Sequence, residues 1–458
     1  MTTTIATDEF RLLSTSGLLG YGFPEVSLAT GLAAKPHMIG VDGGSTDPGP
    51  YYLGSGKTVN SRRAMKRDLR LMLRSALEQK IPLLVGSCGG SGSDPHLAIV
   101  AEIVREIARE ENLHFRLALI HSEQDKASVK RRLAAGTIKP LRNAPPLDES
   151  TIDRAAHITA MMGSEPWTRA LDEGAQVILA GRSSDPAPWA ACAIRAGQAP
   201  APSWYAGKFL ECGATAATPK GHDCLLTTVS GDHIVVEATN PIRICTPLST
   251  ANHSLHENAS PTIFVEPGGI LDGTNCRFDA ISDRAVKISG MEWRPMPYTV
   301  KLEAAEFVGY RAITICGTRD PMLIGQIDSF LDSVRKNVED KSAALDVSPD
   351  QYRLIFRVYG HNGVMGPREP VREVRSHELG ILAEVVAETQ EIASAVLALA
   401  RVNLLHVDFP GRMCREGNMA FPFSPSDVIP EPSYRFTMSH VVSPNDPYEM
   451  FPIEYVSV

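Results

Sequence analysis

Four stretches of this chain share one texture: small residues, then Asp-Pro. They are VDGGSTDPG at 41–49, GSCGGSGSDP at 86–95, GRSSDP at 181–186 and CGTRDP at 316–321. Each follows an apolar run. The plain reading is helix capping, because Asp is a strong N-cap and Pro fits a first helical turn, where its missing N–H would be unpaired anyway. Asp94, Asp185 and Asp320 each suit that role. The functional reading comes from where the first three must meet. In open α/β sheets and parallel barrels, ligands bind beyond the carboxyl ends of the strands. There, Gly43, Gly44, Gly89 and Gly90 would let backbone N–H groups approach an anion. Ser45, Ser87, Ser91, Ser93, Ser183 and Ser184 would add hydroxyls, and Arg182 a forked partner for carboxylate or phosphate. The combination predicts a pocket for a small anionic ligand.

Single residues suggest particular chemistries. Asp94, Asp185 or His96 could act as a base, and the loop N–H groups could hold an oxyanion during abstraction of a proton α to a carbonyl. His121, Ser122 and Glu123 end another strand. Cys88 sits near a helix start, where a thiolate is favoured, although a packed thiol is the ordinary state of a buried Cys. Asp42 and Asp47 flank GGST and, with Asp94 and Asp185, could bind Mg²⁺ or Mn²⁺. Acidic residues that only stabilise Gly-rich turns are the alternative. Further on, Glu211-Cys212-Gly213, His222-Asp223, PLST at 247–250, His253 and Glu257-Asn258 form a polar run. Tyr298, Lys301 and Glu303 lie in a strand-like segment. Lys301 reads either as a salt-bridged sheet residue or, if that face closes over the pocket, as a partner for a substrate carboxylate. SCGGSGSD superficially resembles a Gly-rich dinucleotide turn, but no GxxxxGK[ST] or G-x-G-x-x-G register fits these loops, so the signal for a nucleotide is weak.

Apolar runs at 11–15, 37–41, 82–85, 115–120 and 176–180 read as strands. Between them, Met65, Leu69, Met72 and Ala76, then Leu97, Val100, Val104 and Ile107, recur at helical spacing. Alternation of this kind predicts α/β architecture: a mainly parallel sheet with helices on both faces over 1–222, with a parallel barrel as the competing closure. Short strands at 233–238, 262–266 and 285–288 make 223–302 a β-rich connecting segment. Over 303–458, strands at 310–316, 352–359, 380–387 and 434–441 with helices at 321–338 and 390–405 give the βαββαβ order of a ferredoxin-like α+β unit.

The whole chain has 458 residues, 43% hydrophobic and 21% charged, with a formal net charge of −8. That excludes a disordered chain and offers no cationic field for nucleic acid or anionic lipid. Cys 8 without a CxxC pair gives no zinc-ribbon or redox motif. The opening MTTTIATDEFRLL has no basic or apolar leader pattern, and no apolar run is long enough to span a membrane. A cytoplasmic protein is expected.

Several stretches together resemble the acyclic terpene utilisation (AtuA-like) family: VDGGSTDPGP, VGSCGGSGSD, ILAGRSSDPA, FLECGA, NPIRICTPLSTANHSLHEN, VEPGGILD, PYTVKLEAA and AFPFSPSD. They run from Val41 to Asp427. The resemblance implies catabolism of carboxylic acids, in the founding context branched terpenoid acids carried as acyl-CoA thioesters, and a small companion subunit. It supplies no catalytic residues. The expected function is therefore a hydro-lyase (hydratase) or isomerase acting on a small hydroxy or unsaturated carboxylate or its acyl-CoA thioester. A Mg²⁺- or Mn²⁺-dependent hydrolase and a non-catalytic ligand-binding subunit are the alternatives. A homo-oligomer is expected, because a ferredoxin-like unit exposes a sheet face that commonly packs on a neighbour.

Overall fold

A computed structural model of the chain describes residues 9–142, 144–255, 260–413 and 418–458; Glu257 and Asn258 of the polar run lie outside them. The strands are β1 (Phe10–Ser14), β2 (Met38–Asp42), β3 (Leu83–Gly86), β4 (Arg116–Ile120), β5 (Ile138–Pro140), β6 (Ala155–Met161), β7 (Val177–Ala180), β8 (Leu225–Ser230), β9 (His233–Ala238) and β10 (Ile263–Glu266). They continue as β11 (Gly269–Asp272), β12 (Arg277–Ala280), β13 (Ala285–Ser289), β14 (Glu292–Pro295), β15 (Val300–Thr318), β16 (Tyr352–Tyr359), β17 (Leu379–Ala387), β18 (Asp427–Val428), β19 (Ser433–Val442) and β20 (Ile453–Ser457). The chain divides into two compact units, 1–306 with 436–458, and 307–435.

The first unit is built on a ten-stranded sheet in the order β12-β13-β9-β8-β1-β2-β3-β7-β4-β20. Its centre, β1-β2-β3-β7-β4, is parallel. In β2, β3 and β7 every residue is buried, as expected of parallel strands covered on both faces. Strand alternation sends Leu12, Leu84 and Ile178 to one layer, with Trp167 and Trp189. It sends Leu13, Val85 and Leu179 to the other, with Leu97 and Val100 of the helix Asp94–Glu111. The sheet ends at β12 and β20, so it is open and not a barrel. Residues 223–302 belong to this unit: β8, β9, β13 and β12 extend the sheet as antiparallel strands. Among the described residues, no helix is long and apolar enough to cross a membrane.

In the second unit, β15 and β16 flank β17 in antiparallel register. The helices Ile327–Ala343 and Gln390–His406 pack on that sheet through Phe330, Val334, Val396 and Leu397. Strand, helix, strand, strand, helix follow one another here as read from the sequence, while most of the last strand, β19, falls with 436–458 in the first unit and not in a unit of 303–458. The helix expected over 321–338 is interrupted. Asp320 caps a single turn, Pro321–Ile324, and the longer helix restarts at Ile327 after Gly325 and Gln326. Glycine lacks the side chain that would favour a continuous helix there.

Candidate functional site

Three of the Asp-Pro loops converge because β2, β3 and β7 are parallel neighbours and end on the same edge. The loops interlock through backbone. Gly43 N–H donates to Gly86 O at 2.7 Å, Cys88 N–H to Ala180 O at 2.9 Å, and Arg182 N–H to Gly92 O at 3.1 Å. Glycine is required for this approach. A Cβ on Gly43 would lie 2.5 Å from Gly86 O, and one on Gly92 would lie 2.2 Å from Arg182 N. The fourth loop is in the second unit, where Asp320 caps its own helix.

Arg182 is the hub of this edge. Its Nη1 donates to Ser87 Oγ (3.1 Å), Ser183 O (3.0 Å) and Asp185 Oδ1 (2.9 Å), and its Nε donates to Glu303 Oε2 (2.9 Å). Glu303 also receives Thr46 Oγ1 at 2.9 Å and pairs with Lys301 Nζ at 2.7 Å. Burial alone would push the Glu303 carboxyl up, but Arg182 and Lys301 outweigh it and bring it down to about 2. The guanidinium is correspondingly held charged: burial opposes the charge, while Glu303 and Asp185 more than restore it. Lys301 thus takes the salt-bridged reading.

A cavity of about 450 Å³ opens at this edge. Asp42, Gly44, Ser45, Asp47 and Asp185 line it, joined by Glu211, which follows the helix Pro200–Leu210. Asp42 is 5% exposed, and its Oδ1 is buried without a hydrogen-bond partner. Burial pushes its carboxyl well above the usual range, and neighbouring Asp185 adds to this, while Arg182 and the Gly44 N–H oppose it. Glu211 pairs with Lys208 at 2.7 Å, yet its Oε2 is also buried and unpartnered. Burial raises Glu211 to about 8 against the pull of Lys208, and Asp185 again pushes upward. Behind it, Ser184 donates a short hydrogen bond to buried Glu266. Lys220 and His222 are the basic members of the lining.

The cavity differs from the N–H-lined anion cradle that the glycines suggested. Gly43 N–H is taken by Gly86 O, and Gly90 N–H by Ser87 O at 3.0 Å. Gly89 has positive φ and packs against His96. Its carbonyl accepts Val59 N–H. Ser183 Oγ donates to Ser184 O at 2.9 Å and accepts from Trp167 Nε1. Ser91 is buried and does not line the cavity. The acidic residues of the lining are Asp42, Asp47, Asp185 and Glu211.

Other candidates fall elsewhere. His96 is fully buried, with Nδ1 2.7 Å from Ser93 Oγ and Nε2 2.8 Å from Lys57 O; burial lowers its pKa, so the ring is a neutral bridge. Cys88 is fully buried, its Sγ 3.7 Å from Val85 O, and burial drives the thiol far above its ordinary value. Asp94 turns away from the cavity: its Oδ1 meets His121 Nδ1 at 2.8 Å, and that contact raises the histidine. Glu123 accepts Asp94 N–H and pairs with His157 at 2.5 Å. Asp42, Asp47 and Asp94 therefore do not assemble as a ligand set. Among the described residues no group of three or more His, Cys, Asp or Glu side chains is placed to hold a metal ion. Lys208, Glu211 and Glu266 were missing from the predicted site. Only the FLECGA stretch and the polar run drew attention to Glu211.

A family model described as acyclic terpene utilisation family protein AtuA matches residues 59–413. The match covers most of the chain, which therefore belongs to that family. No curated protein and no solved structure matches it.

Proposed function

From membership of a family described by acyclic terpene utilisation, a catabolic role, we propose that the cavity is the active site of a hydro-lyase or isomerase acting on a small hydroxy or unsaturated carboxylate or its acyl-CoA thioester. The observation that carries this reading is the pairing of two unlike carboxyls in one cavity. Asp42 is buried, unpartnered at Oδ1 and pushed toward its protonated form; Asp185 faces the Arg182 guanidinium at 2.9 Å. One carboxyl buried among neighbours and the other ion-paired with a guanidinium stand in unlike environments, and unlike environments divide acid and base roles between two carboxyls.

In this account Asp185, oriented by its 2.9 Å contact with Arg182, takes the proton α to the carbonyl. Asp42, with Glu211 beside it, donates a proton to the departing hydroxyl, or to the distal carbon in an isomerisation. The substrate carboxylate would meet Lys220 and His222. The carbonyl oxygen is the atom on which charge develops, so the remaining polar groups of the lining must stabilise it. Membership of the family supports a catabolic setting, and the geometry supports acid–base chemistry.

The test is solvent exchange. Purified protein in D₂O is mixed with a panel of hydroxy and unsaturated acids and their thioesters, and deuterium at the α carbon is followed by NMR. Wash-in that is lost in Asp185→Asn is expected. No wash-in or ¹⁸O exchange with any member of the panel removes the proposal.

A further inference from the structure

Resting on the cavity being an acid–base site, we infer that Glu303 is a positioning residue of that site: held by Thr46, it fixes the Arg182 guanidinium and, through it, the place of Asp185 relative to Asp42. Glu303 is buried and does not line the cavity, so it acts through the groups it holds.

Its two oxygens face two different loops. Oε1 accepts from Thr46 Oγ1 at 2.9 Å, and Thr46 lies four residues beyond Asp42, the last residue of β2. Oε2 accepts from Arg182 Nε at 2.9 Å, and Arg182 Nη1 reaches Asp185 Oδ1 at 2.9 Å in the loop after β7. β2 and β7 are not neighbours, because β3 lies between them. The backbone bonds of this edge join each outer loop to the loop after β3; Glu303 joins the outer two to each other through side chains.

Glu303 suits this task because it is itself fixed. It stands on β15 opposite Thr159 of β6 in antiparallel register, and a strand holds a side chain more precisely than a loop does. Thr46 and Arg182 are buried with it, so these hydrogen bonds form in an environment that strengthens them. Lys301 Nζ, 2.7 Å from Oε1, shares that oxygen with Thr46, and its side chain is the more exposed at 33%. Without the Thr46 hydroxyl, Lys301 draws the carboxylate outward and away from Arg182. Asp185 then loses its set position, although every group that lines the cavity is still present.

The effect falls on the chemical step. A catalytic group misplaced by about 1 Å can cost about 10²-fold in rate. Substrate still finds the whole lining, so turnover suffers more than binding.

Two substitutions in the full chain test this. Thr46→Val removes the hydroxyl at nearly constant shape and changes no charge, whereas Thr46→Ser keeps it. Deuterium wash-in with a panel acid that the wild type turns over should show kcat about tenfold lower in Thr46→Val, with KM within about threefold. Thr46→Ser should restore kcat. A role in packing alone would lower the melting temperature of Thr46→Val and leave kcat unchanged in the folded protein, and that result overturns the inference. The second readout needs no activity. In ¹⁵N NMR, the Arg182 Nε–H and the Asp185 amide should shift in Thr46→Val and return in Thr46→Ser; resonances that stay in place in Thr46→Val overturn the inference. The two proposals fail differently. Resonances that move as expected in a protein that exchanges no panel acid sink the hydro-lyase reading alone. Exchange that Thr46→Val leaves untouched sinks this inference alone.

Discussion

Arg182 Nε lies 2.9 Å from Glu303 Oε2, and the two side chains are 6% and 5% exposed. This buried pair ties the loop after β7 to β15 and fixes the guanidinium that Asp185 needs. Removing one partner from a buried pair typically costs about 3–5 kcal/mol, because the other charge is stranded. Glu303→Gln should lose stability of that order in urea unfolding. Arg182→Met should lose a similar amount, together with ligand binding.

The same pair makes an acid limb. Glu303 falls to about 2 in the folded chain from an ordinary 4.5, so its contribution is complete above pH 4.5 and disappears as pH falls through about 2. Unfolding measured from pH 6 to 2 should show a steeper loss in the wild type than in Glu303→Gln. Parallel curves would assign the acid limb to other carboxyls.

Asp42 behaves oppositely. A carboxyl raised by burial binds its proton more tightly in the folded chain, so the wild type loses stability as pH climbs above the ordinary carboxylate range. Asp42→Asn has no proton to lose. Its melting temperature should gain on the wild type between pH 5 and 8, while turnover drops about 10²–10⁴-fold, the usual worth of a general acid. A variant that is both active and stabilised would leave Asp42 without a catalytic part.

Gly92 has φ +67 and no room for a methyl group, which would sit 2.2 Å from Arg182 N. Gly92→Ala should cost about 1–3 kcal/mol from backbone strain alone and displace Arg182 further. Gly325→Ala, at φ −67 with its nearest neighbour 3.5 Å away, should change stability little. Thermal melts of the two variants side by side check the contrast.

Cys88 should be inert. Its thiol is fully buried and pushed far up, so iodoacetamide should leave it unmodified in the native protein at pH 8. Cys88→Ala should keep turnover within about threefold, losing only a small packing contribution of about 1 kcal/mol. A loss of a hundredfold would restore it as a nucleophile.

The parallel centre of the fold was legible because β2, β3 and β7 are short apolar runs buried at every position, and because the helices Arg62–Gln79 and Asp94–Glu111 repeat at clear helical spacing. β6 was not legible: its sequence AAHITAM has few strand-favouring residues and is held by pairing with β15, far along the chain. At the site, glycines and serines marked the converging loops but not their hydrogen bonds. Gly43 and Gly90 spend their N–H groups inside the loops, a choice made by tertiary contact. Asp94 carried the same Asp-Pro signal as Asp185, yet one meets His121 and the other Arg182. Glu211 was hidden because its burial depends on Lys208 and on neighbours distant in sequence.

The most direct test is a crystal structure of the protein soaked with a hydroxy or unsaturated acid from the solvent-exchange panel. The account predicts ligand density in the cavity lined by Asp42, Asp185 and Glu211, with a carboxylate toward Lys220. Density lodged elsewhere, for example in the 307–435 unit beside Asp320 and Glu378, with the Asp42 cavity holding only water, would contradict it.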